Sequence, residues 1–418
     1  MKILASLLCV FLVLLCTGSL AYVYILWKHY WIRIEKLQKN TYHPRKSGPA
    51  VGIHFDETTN SFVVNNRPIH LKNQDSDSAE PKKPDLQVPN DKLMEHIIHY
   101  EKQIVSQLRN VVTGTGKSFD AGEIKNSYRV NYNGSRTFEM QPKDPPQNLV
   151  CSAMKHAKLA TFIKGDPFFR SQELDRYFMD KQILEGQTFD SCGVVSSSGS
   201  LSKSGLGSRI DRNDFVIRFN NAPVIGHEKD VGSKTSLRIV NSQVVGKPEF
   251  RFLESKTKMY SKAPVLVWDP SGYNSTIAQW YTNPDYPFFE TFFSKRLMRP
   301  NEELFLLRPE SLWSIWNWLQ SYNRFPLLPN PPSSGFLGLI LALRHCRLIH
   351  IYEYLPSMRL TKKCHYYDEE ENLGCTIGDW HPLAAEKLMA LSMNVANKSE
   401  VFYDGYLTVK GASNFQCP

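Results

Sequence analysis

Three short apolar runs between Cys192 and Gln243 each end in small polar side chains that can hydrogen-bond a ligand. Gly193-Val194-Val195 leads into Ser196-Ser197-Ser198-Gly199-Ser200. Phe215-Val216-Ile217-Arg218-Phe219 stops at Asn220-Asn221, and Ser236-Leu237-Arg238-Ile239-Val240 stops at Asn241-Ser242-Gln243. Hydroxyls and carboxamides supply both donors and acceptors, which suits the phosphate, ribose and base of a nucleotide. One such end alone reads as an ordinary turn, because Asn and Ser favour turns; three in succession point to a site. Further on, Pro329-Asn330-Pro331-Pro332-Ser333-Ser334-Gly335 precedes the apolar run 336–343. The prolines stop any preceding element, and the Ser-Ser-Gly turn opens a helix whose first amide groups are free, a place that attracts anions. A Ser N-cap on a buried helix would show the same residues. His381 stands directly before Pro382, a residue suited to a first helical position. Imidazole, with an ordinary pKa of about 6.5, is a natural base for a sugar hydroxyl, although a capping or surface role fits the same position.

Groups this far apart in the chain meet only if a sheet gathers them. Runs rich in Val, Ile and Phe and bounded by Gly, Pro, Asn and Ser read as strands. Pro264-Val265-Leu266-Val267-Trp268-Asp269 reads as a fourth, again with a polar end. Open α/β sheets bind ligands outside the carboxyl ends of their strands, so these ends are where a site is expected. The stretch from Leu312 to Leu319 reads as a Trp-rich core helix. From Lys92, apolar residues Leu93, Ile97, Tyr100, Ile104, Leu108 and Val111 recur at helical spacing, which places the start of the folded domain there. No internal repeat is visible.

The chain has 418 residues, 42% hydrophobic and 12% aromatic, enough for a large core. Its net charge of +9 is not gathered into a Lys/Arg block with interleaved aromatics, so a nucleic-acid face is not expected. Ile3 to Trp27 carries no charged side chain and is long enough to cross a bilayer. Ser19-Leu20-Ala21 resembles a signal-peptidase site, but the apolar run continues through Trp27, which favours an uncleaved signal-anchor over residues 4–27 after a tail of residues 1–3. Lys28, His29 and Arg33 on the carboxyl flank argue for a cytoplasmic domain. Cysteine usage argues the other way: beyond Cys9 and Cys16, an even set of six (Cys151, Cys192, Cys346, Cys364, Cys375, Cys417) suits disulfides in an oxidising lumen. Spacing does not choose among their pairings, and no C-x-x-C suggests zinc. Residues 28–91 show little periodicity, and 73–90 have the polar, Pro-containing make-up of a disordered stem. Asp75-Ser76-Asp77 lies in that stem and reads as solvated charge rather than a metal-nucleotide motif. Sequons begin at Asn133, Asn274 and Asn397, about as many as chance supplies, and stand as glycosylation candidates.

Taken together, the segments resemble the animal sialyltransferases, most closely those that join sialic acid α-2,6 to β-galactosides of N-glycans. CGVVSSSGSL, DFVIRFNNAPV and DVGSKTSLRIVNSQ look like the long sialylmotif; PNPPSSGFLGLILALRHCRLIHIYEYLPS looks like the short one. His365-Tyr366-Tyr367-Asp368 fits the third motif, and His381 through Glu386 the very short one. With VWDPS and NPDY between them, the resemblance covers residues 92–418.

The resemblance implies an α/β, glycosyltransferase-A-like (variant) single catalytic domain with a central, mostly parallel sheet flanked by helices, preceded by the anchor and a lumenal stem. It implies a single-pass type II Golgi membrane enzyme that transfers sialic acid from CMP-sialic acid to the galactose 6-hydroxyl of glycoprotein N-glycans, with inversion and without a metal or other cofactor. A homodimer and a secreted form released by stem cleavage both fit; nucleic acid does not. Carried over by position, Ser197, Asn220 and Asn241 would hold CMP. Ser333, Ser334, Gly335, Cys364, His365, Thr376 and Trp380 would line the donor. His381 would be the base, Lys387 a contact on the donor or acceptor side, and Gln243 and Asp285 contacts to the acceptor galactose. The family's pairings would be Cys151–Cys417, Cys192–Cys346 and Cys364–Cys375. This chain has His365 and Trp380 where the enzymes it resembles have Tyr. Another linkage (α-2,3, or α-2,6 to GalNAc) is the alternative within enzymes. A catalytically silent type II membrane lectin is the alternative outside them, against which the retained His381 and Glu386 speak.

Overall fold

The computed structural model describes residues 53–56, 61–64, 67–68, 90–114, 125–135, 145–254, 258–372, 374–378 and 380–417. The proposed tail and anchor, most of the stem and Asp75-Ser76-Asp77 lie outside them. Among the described residues no helix is long and apolar enough to cross a membrane. Within the stretch read as stem, β1 (Ile53–Asp56), β2 (Ser61–Val64) and β3 (Arg67–Pro68) form a small antiparallel sheet. It is hard to read from sequence, because each strand is at most four residues long and polar breaks separate them.

Seven strands make the central sheet: β4 (Phe189–Val195), β5 (Phe215–Phe219), β6 (Leu237–Asn241), β7 (Val265–Trp268), β8 (Leu304–Leu306), β9 (Cys346–Tyr352) and β10 (Tyr406–Lys410). Their order is β10-β9-β4-β5-β6-β7-β8. All neighbours pair in parallel except β10, which runs antiparallel to β9. Strands β5 to β7 are buried at every position apart from half-buried Asn241, as expected for a parallel sheet covered on both faces. The chain steps outward from β4 to β8 and then returns to lay β9 on the other side of β4. That reversal makes a switch point at the carboxyl end of β4, the place where open α/β sheets bind ligands.

Helices cover the sheet. Helix Pro309–Ser321 buries Trp313, Trp316 and Trp318, and Ser334–His345 is apolar almost all round and buried, as a central helix must be. Gly338 on that helix lies so close to Phe219 that an added Cβ would stand 2.7 Å from its ring, so a larger residue would push helix and sheet apart. Asn90–Thr113 packs against Leu383–Ser392, the helix that carries Glu386. Three disulfides are present: Cys151–Cys417, Cys192–Cys346 and Cys364–Cys375. The second joins β4 to the first residue of β9 and so ties together the two strands that flank the switch point.

Candidate active site

The loop after β4 is pinned from two sides. Ser196 Oγ donates to the Glu353 carbonyl just beyond β9 (3.0 Å), and the Tyr366 amide donates to the Ser197 carbonyl (3.2 Å). Ser198 caps the short turn 199–201 and bridges to His365. An added Cβ on Gly199 would meet the Lys363 carbonyl at 2.4 Å, so only glycine admits this close approach. Ser197 Oγ has no hydrogen-bond partner among the described residues.

Both strand-end asparagines spend their oxygens inside the protein. Asn220, in the left-handed region at φ 45°, accepts the Asn241 amide on Oδ1 (3.1 Å). Asn241 Oδ1 caps the next helix by accepting from Val244 N (3.1 Å). Among the described residues neither Nδ2 has an acceptor. Three adjacent strand ends therefore present one open hydroxyl and two open amide donors.

The Ser333 turn is wired differently from expectation. Ser333 N and Oγ both donate to the Glu386 carboxylate (2.8 and 2.5 Å), and Ser333 Oγ caps Phe336 N (3.2 Å). Ser334 Oγ accepts from the Trp268 indole (2.9 Å). Both hydroxyls are thus engaged, and the backbone amides of Ser334 and Gly335 are what this helix start has left to offer. An added Cβ on Gly335 would stand 3.0 Å from the Tyr354 ring. Glu386 is fully buried and also accepts from Tyr354 OH (2.9 Å); burial raises its pKa while these donors lower it. Lys387 is buried, with its ammonium donating to the Tyr354 carbonyl (2.6 Å). Burial lowers its pKa to about 8. It braces the turn after β9.

His381 precedes helix Leu383–Ser392, and Pro382 is the residue just ahead of that helix rather than its first. The imidazole Nδ1 lies 2.8 Å from the Pro331 carbonyl, which can only accept, so Nδ1 carries the proton and Nε2 is left with a lone pair. The ring packs between Trp380 (4.4 Å, edge-on) and Trp268 (6.4 Å), with part of its surface still open. Burial lowers its pKa to about 4, against the hydrogen bond to Pro331, which raises it. Trp380 is 43% exposed, held by Asn330 Nδ2 on its carbonyl (2.6 Å).

On the third-motif segment, His365 Nδ1 meets Asp368 Oδ2 at 2.6 Å, and its ring stacks on Tyr367. Cys364 is buried and, with Cys375, closes this segment by a disulfide; Thr376 is half-buried on the turn of helix 374–377 that follows. Metal-ligating residue types gather here as Cys364/Glu370/Cys375 and His365/Asp368/Glu370. The disulfide removes the thiolates from the first group, and the second has Nδ1 of its imidazole held by Asp368.

Just past the carboxyl end of β6 Gln243 is exposed, and Asp285, in the segment after β7, accepts from Tyr128 OH (2.9 Å). Burial raises the Asp285 pKa, against that hydrogen bond. Two residues whose roles the sequence did not mark support these ends. Asp269, fully buried after β7, accepts from Trp280 Nε1 (2.7 Å) and from the amides of Asp285 (3.0 Å) and Tyr286 (3.2 Å). Burial lifts it to about 6. Arg238 lies beneath the Asn220 turn. The sequons at Asn133, Asn274 and Asn397 are all exposed.

A parallel sheet with a switch point thus carries open donors at its strand ends, and a neutral imidazole packs near Trp268 at the end of β7. Residues 168–398 match the sequence model of glycosyltransferase family 29 (sialyltransferase), and the chain belongs to that family. It is 36% identical to beta-galactoside alpha-2,6-sialyltransferase 2 of Danio rerio over 70% of this chain and 56% of that protein. It is 39% identical to the Homo sapiens form over 70% and 55%. With beta-galactoside alpha-2,6-sialyltransferase 1 of Mus musculus it shares 38% over 70% and 71%. The chain thus spans little more than half the length of several of the curated relatives it matches. A solved mammalian sialyltransferase aligns with 60% of this chain and 76% of its own at 19% identity and a TM-score of 0.32.

Proposed function

We propose that this protein transfers sialic acid from CMP-sialic acid to the 6-hydroxyl of terminal galactose in Gal-β-1,4-GlcNAc on glycoprotein N-glycans. The relatives' names support the linkage, and the His381 geometry supports the chemistry. Ser197 Oγ, Asn220 Nδ2, Asn241 Nδ2 and the first amides of helix Ser334–His345 hold the donor, with His365, Thr376 and Trp380 around it. Gln243 and Asp285 meet the galactose. The galactose O6 attacks the anomeric carbon of sialic acid and forms the new glycosidic bond. The bond from that carbon to the phosphate oxygen breaks, and its electron pair leaves with CMP. His381 Nε2 takes the O6 proton. A single displacement of this kind inverts the anomeric centre. Leaving-group charge is met by hydroxyl and amide donors and a helix start, which cost no reorganisation at the moment of reaction. The domain is of the glycosyltransferase-A-like variant kind over residues 92–418. Residues 4–27 anchor it in the Golgi membrane, with its catalytic part lumenal and 28–91 as the stem.

The deciding experiment incubates the protein with CMP-sialic acid and N-acetyllactosamine and analyses the product's linkage. An α-2,6 product supports the reading; an α-2,3 product, or none, overturns it. Activity is expected to survive EDTA in full, since the phosphate is met by protein donors; a strict requirement for added Mn²⁺ or Mg²⁺ would contradict this. Asn220→Ala or Ser197→Ala is expected to raise the KM for CMP-sialic acid with little change in kcat. These groups bind ground and transition states alike, so steady-state kinetics on both substrates checks the split.

A further inference from the structure

We propose that Arg238 is the positioning residue of the donor site: its guanidinium sets the turn at the end of β5 so that Asn220 and Asn241 present their amides outward. This rests on the function proposed above for the donor itself. Arg238 is the second residue of β6, 3% exposed, where a parallel strand ordinarily carries an apolar residue. Its Nη1 donates to three carbonyls of one turn: Phe219 (3.4 Å), Asn220 (2.8 Å) and Ala222 (3.1 Å). Asn220 holds a left-handed backbone, which Asn takes more readily than other non-glycine residues, and three hydrogen bonds fix it there. Its amide is fixed to the Ile239 carbonyl (2.8 Å), its carbonyl to Arg238, and its Oδ1 to Asn241 N. With every other polar atom of Asn220 committed, the Nδ2 amide is left for a ligand. Asn241, whose amide is bound by Asn220, has its own Oδ1 on Val244 N and is aimed by the same chain of bonds.

A merely structural residue could be apolar here at less cost, because a buried cation is expensive unless it is paired. No carboxylate bonds to Arg238 among the described residues. Its Nε has no partner, and the groups acting on its charge are the phenols of Tyr260, Tyr366 and Tyr367, all raised by burial and neutral at ordinary pH. Arg218, also buried and opposite Arg238 in register, adds a second cation whose Nη1 is likewise open. Arg218 spends its other donors on the Val231 and Lys234 carbonyls and on Thr235 Oγ1, ahead of β6, so Arg238 is the cation that lies beneath the turn facing an anionic nucleotide.

The test compares Arg238→Lys and Arg238→Met with the unaltered intact chain. Lysine keeps the charge but lacks the planar fork that reaches the turn. Hydrogen exchange without substrate is expected to rise at residues 219–223 in both variants. The KM for CMP-sialic acid is expected to rise on the order of tenfold, more for Met than for Lys, while the galactoside KM stays unchanged. Unchanged exchange in a folded Lys variant overturns the proposal, as does an unchanged donor KM or a matching rise in both KM values. If the Met variant does not fold, the Lys variant decides. Should the unaltered protein turn over no CMP-sialic acid, the function fails instead, and exchange at 219–223 still decides what Arg238 does.

Discussion

His381→Ala is expected to lower turnover by about 10²–10⁴-fold, the usual worth of a positioned general base. Folding and CMP affinity should stay near those of the unaltered protein, because the ring lies at a helix start beside the site and its hydrogen bond reaches only the Pro331 carbonyl. The pH profile gives a second reading. A base works only while unprotonated, and burial holds His381 down to about 4. Activity governed by this group therefore falls as pH drops through the region near 4, well below the ordinary imidazole value of about 6.5. The same shift acts on stability. The unfolded chain protonates this imidazole near 6.5 and the folded one near 4, so between those values the unfolded state binds more protons and stability declines on acidification. In the alanine variant both the acid limb and this share of acid sensitivity should vanish. Near-normal turnover with an unchanged profile would assign the proton to another residue.

Breaking Cys192–Cys346 should destabilise the fold and disturb the site together. The bond closes 154 residues of sequence, and loss of a native disulfide typically costs about 2–5 kcal/mol. Here the damage reaches the site, since the loop after β4 carries Ser197 and the turn after β9 carries Glu353 and Tyr354. Cys192→Ser is expected to lower the Tm sharply and to remove most activity, and reduction of the native protein should do the same. Thiol labelling with mass spectrometry checks this; free thiols at both positions in fully active protein would refute it.

Much of the sheet is legible in the sequence. Phe215–Phe219 is plain, because Phe, Val and Ile around a single Arg stand between Asp214 and Asn220-Asn221. The Trp-rich helix and the Ser333 cap were equally plain. Strands β8 to β10 were not: β8 has three residues, β10 mixes Tyr, Thr and Lys, and β9 follows a helix with no breaker between His345 and Cys346. Within the site, residue types announced a donor-rich pocket but not how its atoms are shared. A lysine reads as surface until tertiary packing shows Lys387 inside. Nothing local tells that the Ser333 and Ser334 hydroxyls face Glu386 and Trp268, or that Arg238 gathers three carbonyls. These are contacts between segments far apart in sequence, and pattern does not reach them.

Strand β10 closes one edge of the seven-stranded sheet. It is the one antiparallel member of the sheet; it covers the outer side of β9, and seven residues after it Cys417 is bonded back to Cys151. A frameshift or stop upstream of Tyr406 would strip β9 of its partner and leave a row of unpaired N–H and C=O groups beside Ile349 and Ile351. An uncovered, apolar edge of that sort recruits other chains. Strand β10 is therefore a lid against aggregation.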